Sequence, residues 1–439
     1  MTDKDYIKII LSHVGIGFLL ALSPFWAKVY AVLIVAVGLY LIIKHENKNH
    51  EVLYVAAYLV GSEVFLRTTQ GNPFHEYGRY FVILFMVLGL YYSSFSKKAY
   101  PYWAFLLCLI PSIFIAVNSL DSEVRKKIFF DILGPVCLGV CGLYTYRRAI
   151  SRQEMDNILL GIGLPVLACC SFLFLKYPLS EAVIKNTESQ VFLSGNYAPN
   201  QMATLLGLGM FVFLMRFFLT SASGKMLFLN GLLFCFIYYR GLLTFSRGGM
   251  ITAMAMAVIF LFFILINYRK HFPVKLKIVF VLLAFPLVFI LGSCQTDGLL
   301  FKRYNNQNPS GLYKSYETEG RNDIALDEIK QFQQNPIMGV GVGKTKETRS
   351  LKHGSSISTH NEITRMLAEH GLFGIAGILI LLFTPLFLFL KDKENVYLLC
   401  FFTFWLLTIN HTGMRVAAPS FIYALALLSL KKDVEINSV

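Results

Sequence analysis

The sequence predicts an all-α polytopic membrane protein with about 12–14 transmembrane helices and one long, partly helical loop. Its composition is the first reason: 56% of the 439 residues are hydrophobic and only 15% are charged, whereas a soluble domain carries about 25% charged residues. The second reason is the order along the chain. Apolar runs follow one another until a polar stretch at roughly 294–365 interrupts them. Both observations place most of the chain in a lipid bilayer.

Fourteen apolar segments approach the length of about 20 helical residues that a hydrocarbon core about 30 Å thick requires. They lie at roughly 7–24, 27–43, 51–66, 78–95, 102–118, 128–146, 156–175, 200–221, 225–243, 249–267, 275–293, 366–390, 394–410 and 415–430. Several are short, so twelve or thirteen crossings also fit if early segments form re-entrant or interfacial helices. The start, MTDKDYIKII, has no small-residue cleavage pattern, so we expect no cleaved signal peptide.

Lys and Arg residues predict the orientation of these segments. If the N-terminus is inside, the inner connections are richer in Lys and Arg than the short outer ones, as the positive-inside rule requires. We therefore expect both termini in the cytoplasm and the long loop outside. Several polar residues then share the outer side with the loop: Arg67, Arg79, Asn200, Arg247 and Arg415.

The formal charge of +14 does not indicate a nucleic-acid partner. The charges lie at the ends of apolar segments, where they meet the headgroups of membrane lipids, and no basic stripe is interleaved with aromatic residues. Seven of the eight cysteines lie inside apolar segments as small hydrophobic residues, and Cys294 has no obvious partner. We expect neither a disulfide framework nor a cysteine-based metal site.

The long loop has internal structure. Residues 323–333 predict a short amphipathic helix that is stopped by Asn335 and Pro336. The following GVGVGKT resembles a phosphate-binding loop, but Met338 occupies the position that requires its first glycine, so we interpret this stretch as flexible backbone. A structured loop of this length is usually functional.

Arg247 lies in TFSRGG, between a helix expected to end near Leu243 and another expected to begin at Gly249. A topology anchor belongs inside, whereas Arg247 is expected outside, next to Ser246 and two glycines. Glycines let backbone N–H groups approach a ligand, and a guanidinium binds a phosphate through two parallel hydrogen bonds. The pattern predicts a phosphate-binding residue, with a snorkelling interface arginine as the alternative.

Arg321 and His360 are the loop's candidates for chemistry. Arg321 lies just before the predicted loop helix, whose N-terminus favours an anion, although a solvated arginine gives the same pattern. His360 precedes a further predicted helix and can accept a proton at neutral pH. His353, His370 and His411 compete for that role, and spacing does not choose among them. His353 and His360 are seven residues apart, with no carboxylate pair at ligand spacing nearby, so we expect no metal site.

Carboxylates are scarce inside the apolar segments, where Glu63 and Asp131 are the exceptions. An ion-coupled transporter normally needs such groups near the membrane midplane. A lipid-glycan flippase or other transporter would also carry charged groups along a central path and symmetry between its halves. Neither pattern is visible, so transport is disfavoured.

Four motifs resemble those of the O-antigen ligase and polymerase family. His360-Asn361 followed after nine residues by GLFG resembles the family's histidine motif, and TFSRGG its membrane-edge arginine motif. Arg321 followed by NPIMGVGVG resembles its loop segment, and NYAPNQMA at 196–203 its asparagine stretch. The resemblance covers roughly residues 190–380.

This resemblance implies a GT-C-like membrane glycosyltransferase that works without nucleotide or metal cofactors. Such an enzyme takes a glycan from undecaprenyl diphosphate outside the inner membrane and transfers it en bloc to an acceptor. On this sequence, Arg247 and Arg321 would bind the diphosphate, and His360 would assist attack by the acceptor hydroxyl. The residues expected to bind substrate are Asn200, Ser246, Asn361 and Arg415.

The same resemblance leaves two activities open. A ligase attaches the glycan to a lipid A-core sugar, which is our first hypothesis, and a polymerase attaches it to another lipid-linked glycan. The chain is expected to divide into four regions with distinct roles. They are the N-terminal helices at 1–190, the helices with the arginine motif at 191–293, the periplasmic loop at 294–365 and the C-terminal helices at 366–439.

Overall fold

The computed structural model describes residues 2–117, 122–268, 271–314, 321–353 and 361–431. They form a bundle of α-helices, which confirms the predicted all-α, multispanning fold. The helices in the first half are α1 (Asp3–Leu22), α2 (Pro24–His45), α3 (Glu51–Thr68), α4 (Tyr77–Ser93), α5 (Tyr100–Ala116), α6 (Ser122–Thr145), α7 (Arg152–Lys176) and α8 (Pro199–Leu219). Those in the second half are α9 (Gly224–Leu242), α10 (Arg247–Asn267), α11 (Phe272–Gln295), α12 (Leu299–Tyr304), α13 (Arg321–Gln334), α14 (Lys344–His353), α15 (Glu362–Lys391), α16 (Val396–Thr408) and α17 (Ala417–Leu425).

Each of the fourteen predicted apolar segments corresponds to one of these helices, and α12 to α14 belong to the long loop. Among the described residues, eight helices are long and apolar enough to cross a membrane, and α4, α5 and α16 are shorter apolar helices. α3 carries three charged residues, Glu51, Glu63 and Arg67, inside an otherwise apolar segment. Two of these residues, Glu63 and Arg67, form an ion pair.

α7 and α8 form the centre of the bundle. Both are apolar on all sides and mostly buried, as expected for helices surrounded by other helices. α7 packs against α1, α3 and α8, while α8 also packs against α9 and α10. α15 packs against α5, and α17 packs against α6 and α16.

The bundle has two polar ends, which we call the strand end and the loop end. At the strand end, β1 (Ala149–Ile150) pairs in parallel with β2 (Ser429–Leu430). Nearby, the side chains of Ser151 and Glu154 form a capping box that begins α7. The loop end carries α12, α13 and α14, and the predicted functional residues that the structure describes lie there.

The glycine-rich segment 339–343 docks against a break in α15. Gly371 interrupts this helix with a φ of 59°, and the Leu372 N–H donates to the Pro336 carbonyl at 2.8 Å. A Cβ at Gly371 would lie 2.6 Å from that carbonyl oxygen, and a Cβ at Gly339 would lie 2.4 Å from the backbone of Glu369. Only glycine fits at either position. The interpretation of this segment as flexible backbone is therefore wrong, because its glycines serve close packing.

Candidate active site

Arg247 is the first residue of α10, at the turn where the chain leaves α9. The helix begins two residues before the predicted Gly249. Ser246 occupies the N-cap position, but its hydroxyl donates to Asn200 Oδ1 at 2.7 Å instead of accepting a bond from the helix. The first turn of α10 therefore lacks a side-chain cap, and its N–H groups favour an anion. We call Asn200, Ser246 and Arg247 the Arg247 corner.

The Arg247 corner carries positive charge without a compensating carboxylate. Within the described chain, Arg247 is partly exposed and makes no ion pair. Arg303 lies close by and donates to the Phe245 carbonyl at 3.0 Å. Both arginines act electrostatically on the Tyr304 hydroxyl, which has no hydrogen-bond partner among the described residues and whose pKa is raised by burial. These groups can attract and bind an anionic ligand.

The two glycines after Arg247 allow close packing. A Cβ at Gly248 would lie 2.7 Å from the ring of His411, and a Cβ at Gly249 would lie 2.4 Å from the backbone of Ala203 in α8. His411 Nε2 in turn lies 3.3 Å from the Thr204 hydroxyl. The structure thus gives these glycines a packing role at positions where the sequence suggested contact with a ligand.

The segment 409–416, between α16 and α17, is held through its main chain. Arg67 donates to the Arg415 carbonyl at 3.2 Å, and Arg79 donates to the Met414 carbonyl at 3.0 Å. Arginines from α3 and α4 therefore fix the course of this segment at the loop end. These contacts bring Arg67 and Arg79 to the main chain at Met414 and Arg415; the side of the membrane on which they lie stays a prediction.

Glu63 and Asp131, the carboxylates singled out in the sequence, have different surroundings. Glu63 is buried, pairs with Arg67 at 2.7 Å, and accepts the Ala417 N–H at 2.7 Å, where α17 begins. Asp131 in α6 makes no hydrogen bond or ion pair within the described chain. Glu63 is therefore structural, whereas Asp131 is available to a ligand.

Arg365 is buried between two carboxylates of its own helix. It donates to Glu369 at 2.8 Å and also pairs with Glu362. The other oxygen of Glu369 accepts from the Gly343 N–H at 3.0 Å and from the Thr345 hydroxyl at 2.9 Å. This network was missed in the sequence, although the spacing of Glu362, Arg365 and Glu369 places them on one helical face.

A second buried ion pair ties the loop helices to α15. Arg349 in α14 pairs with Glu328 in α13 at 2.7 Å. The second oxygen of Glu328 accepts from the Thr364 hydroxyl at 2.6 Å. The long loop is therefore anchored by charges as well as by the glycine contacts at α15.

These elements line a partly open pocket at the loop end, with a cavity volume of about 40 Å³, which we call the Asp131 pocket. α4, α6, α14, α15 and the segment 409–416 contribute to its wall. Its lining residues are Arg79, Phe130, Asp131, Thr345, Lys346, Arg349, Glu362, Arg365, Glu369, Gly413, Met414 and Arg415. Of the residues predicted to bind substrate, only Arg415 lines it.

The predicted loop residues are placed only in part. Arg321 is the first residue of α13, but its side chain lies outside the description. His360 lies outside the described residues. Asn361 is the N-cap of α15, and its Oδ1 accepts from the Ile363 N–H at 2.9 Å.

His370, one of the competing histidines, is buried in the bundle. Its Nδ1 lies 2.6 Å from the Ser112 hydroxyl of α5. That contact connects α15 to α5, and it places His370 away from the lining of the Asp131 pocket. We therefore assign His370 a structural role.

Part of the chain matches the sequence model of a known family. Residues 232–379 match the sequence model of a family described as O-antigen ligase. The matched range begins in α9, includes Arg247 and the long loop, and ends in α15. The resemblance seen in the motifs is thus confirmed over about a third of the chain. A search of curated proteins gave no match.

Proposed function

We propose that this protein is a ligase-type glycosyltransferase. It would transfer a glycan en bloc from undecaprenyl diphosphate to a sugar hydroxyl of lipid A-core on the periplasmic side of the inner membrane. The observation that carries this proposal is Arg247. It lies inside the family-matched range, begins a helix, and has no carboxylate partner within the described residues.

The donor's chemistry explains why such a corner suits the reaction. A sugar joined to a diphosphate is already activated, so the enzyme has to stabilise a leaving diphosphate. Arg247 and Arg321 are assigned to that charge, an electrostatic contribution worth about 10²–10³-fold in rate for a single well-placed donor. Asn200 and Ser246, linked by their hydrogen bond, are assigned to orient the donor beside them.

The acceptor supplies the attacking hydroxyl. Its oxygen forms a bond to the anomeric carbon, the bond from that carbon to the diphosphate oxygen breaks, and undecaprenyl diphosphate leaves. His360 is assigned to receive the hydroxyl proton, a contribution of about 10²–10⁴-fold. Asn361 and Arg415 are assigned to the acceptor side. We retain the four-region division at 1–190, 191–293, 294–365 and 366–439 as part of this proposal.

The decisive experiment is a gel profile of surface polysaccharide from a deletion strain of the producing bacterium. A ligase predicts lipid-linked polymer of all lengths accumulating next to unmodified lipid A-core. Complementation with the wild-type gene should restore attachment. Complementation with His360→Ala should leave the deletion profile unchanged.

The same gels distinguish the alternatives. A polymerase of this family would leave single glycan units attached to lipid A-core. A flippase would leave the lipid-linked substrate on the cytoplasmic face. Wild-type attachment in the His360→Ala strain would remove His360 from the mechanism.

A further inference from the structure

The charges of the Asp131 pocket are balanced. Five cationic side chains and three carboxylates line it. Two further carboxylates lie against cations of the wall, since Glu76 pairs with Arg79 and Glu328 pairs with Arg349. With these two, five carboxylates stand against the five cations. The pocket lacks the excess positive charge that binding of a diphosphate requires.

Of the three carboxylates that line the pocket, the one on Asp131 makes no ion pair within the described residues. Glu362 and Glu369 both pair with Arg365, whereas Asp131 has no direct polar partner within the described chain. The charged groups that act on it through space are Arg365, Lys346, Glu362 and Arg79. Asp131 is half-buried, and a carboxylate there without hydrogen bonds is unfavourable, so a ligand that brings donors would bind there favourably.

Hydrogen-bond donors face the same space. Arg79 and Lys346 lie over the ring of Phe130, at 5.6 Å and 5.8 Å from its centroid, which holds both cations at the wall. A ligand in the pocket thus meets an acceptor at Asp131 and donors around it. Hydroxyl groups both donate and accept hydrogen bonds, so a neutral, hydroxyl-rich ligand matches this arrangement better than an anion.

The pocket also adjoins the Arg247 corner. The segment 409–416 reaches both sites: His411 contacts Gly248 beside Arg247, while Gly413 and Arg415 line the pocket. One short, fixed segment thus separates a positively charged corner from a charge-balanced pocket.

We propose that the Asp131 pocket binds the acceptor sugar, with the Asp131 carboxylate accepting hydrogen bonds from the sugar's hydroxyl groups. This inference rests on the proposed function and extends it. The corner would bind the anionic end of the donor, and the pocket would bind the neutral ring of the acceptor. Asp131 acts as a positioning residue, because the proton is assigned to His360.

A direct binding experiment tests the pocket without the reaction. The probe is lipid-free core oligosaccharide from the producing bacterium, observed by saturation-transfer NMR on the full chain in lipid nanodiscs. Asp131→Asn should weaken binding about tenfold or more, because hydrogen bonds to a charged acceptor contribute at least that much. The matched control is Asp297→Asn, an exposed aspartate of the loop end outside the pocket. It should bind like the wild type.

A kinetic experiment tests the role in transfer. With lipid A-core as the varied acceptor, Asp131→Asn should raise its half-saturating concentration about tenfold or more. The half-saturating donor concentration and the maximal rate should stay near wild-type values. Should Asp131→Asn fail to fold, Lys346→Gln at the same wall replaces it, with a smaller increase of the same kind.

The outcomes separate this inference from the proposed function. If wild-type protein binds the oligosaccharide through Asp131 yet transfers nothing, the proposed function is wrong and the sugar pocket stands. If Asp131→Asn transfers with wild-type acceptor dependence, the pocket assignment is overturned and the ligase stands. Absence of oligosaccharide binding to the wild type, or its displacement by inorganic pyrophosphate, also overturns the pocket assignment.

Discussion

The Arg247 corner and the Asp131 pocket lie at the same end of the bundle and differ in how their charges are matched. In the pocket, carboxylates such as Glu362, Glu369 and Glu328 pair with the arginines of the wall. Within the described residues, Arg247 has no such partner. An arginine at a membrane edge therefore does not by itself indicate a phosphate site. Its partners decide whether its charge stabilises the fold or remains available to a ligand.

This difference has an energetic origin. Burying a charge away from water is costly, and a paired carboxylate recovers most of that cost. Arg365 is buried and therefore needs both of its glutamates. Arg247 is partly exposed at a helix N-terminus, so water stabilises it until an anion takes its place.

We expect the largest loss of stability from removing one partner of a buried ion pair. Replacing Arg365 with Met leaves Glu362 and Glu369 buried without their partner, which we expect to cost about 3–5 kcal/mol of stability. Thermal unfolding in nanodiscs would show this as a clear fall in the melting temperature. The double variant Arg365→Met/Glu369→Gln should recover part of the loss. An unchanged melting temperature for the single variant would contradict the charge-matched description of the pocket.

The second prediction is that replacing Arg247 lowers activity without lowering stability. Under the proposed function, Arg247→Ala removes a donor to the leaving diphosphate and should lower the transfer rate by about 10²–10³-fold. The melting temperature should stay near that of the wild type, since no described ion pair is lost. Arg247→Lys is the control: it keeps the charge but loses the paired hydrogen bonds, so its activity should be intermediate. A large loss of stability in Arg247→Ala would place this arginine in the structural class with Arg365.

A third prediction concerns the contact between the glycine-rich segment 339–343 and the break in α15 at Gly371. Gly371→Ala should destabilise the protein by at least about 1–3 kcal/mol, the usual cost of a strained backbone, with the clash against Pro336 added. Gly298→Ala also has a positive φ but has open space around it, so it reports the strain alone. Gly15→Ala, in a helix with open space, should be harmless. Equal effects at positions 371 and 298 would mean that the contact with the loop is unimportant.

We expect the smallest effect from removing the hydrogen bond between Ser246 and Asn200 in the Arg247 corner. Ser246→Ala removes the bond to Asn200 Oδ1, which should cost about 0.5–1.5 kcal/mol, or up to about tenfold in the half-saturating donor concentration. Acceptor dependence should not change. An effect on the acceptor alone would move Ser246 from the donor side to the pocket side.

Much of the fold could be predicted because hydropathy reports burial in lipid directly, and all fourteen predicted segments are helices. The Arg247 corner could also be expected in part, because Ser246 and Arg247 are neighbours and Asn200 begins a helix on the same side. The Asp131 pocket could not be predicted from the sequence. Its wall comes from α4, α6, α14 and α15, and no spacing along the chain indicates that Asp131 lies close to Lys346.

Segment 409–416 is held in place by hydrogen bonds to its main chain, which leaves part of its sequence open to change. Arg67 and Arg79 bind carbonyl oxygens of Arg415 and Met414, atoms that every amino acid possesses. Exchanging the side chain at position 415, which lines the pocket, therefore leaves the bond from Arg67 to the main chain available. On the proposed assignment of the pocket to the acceptor, a library of substitutions there would change which sugars the protein accepts.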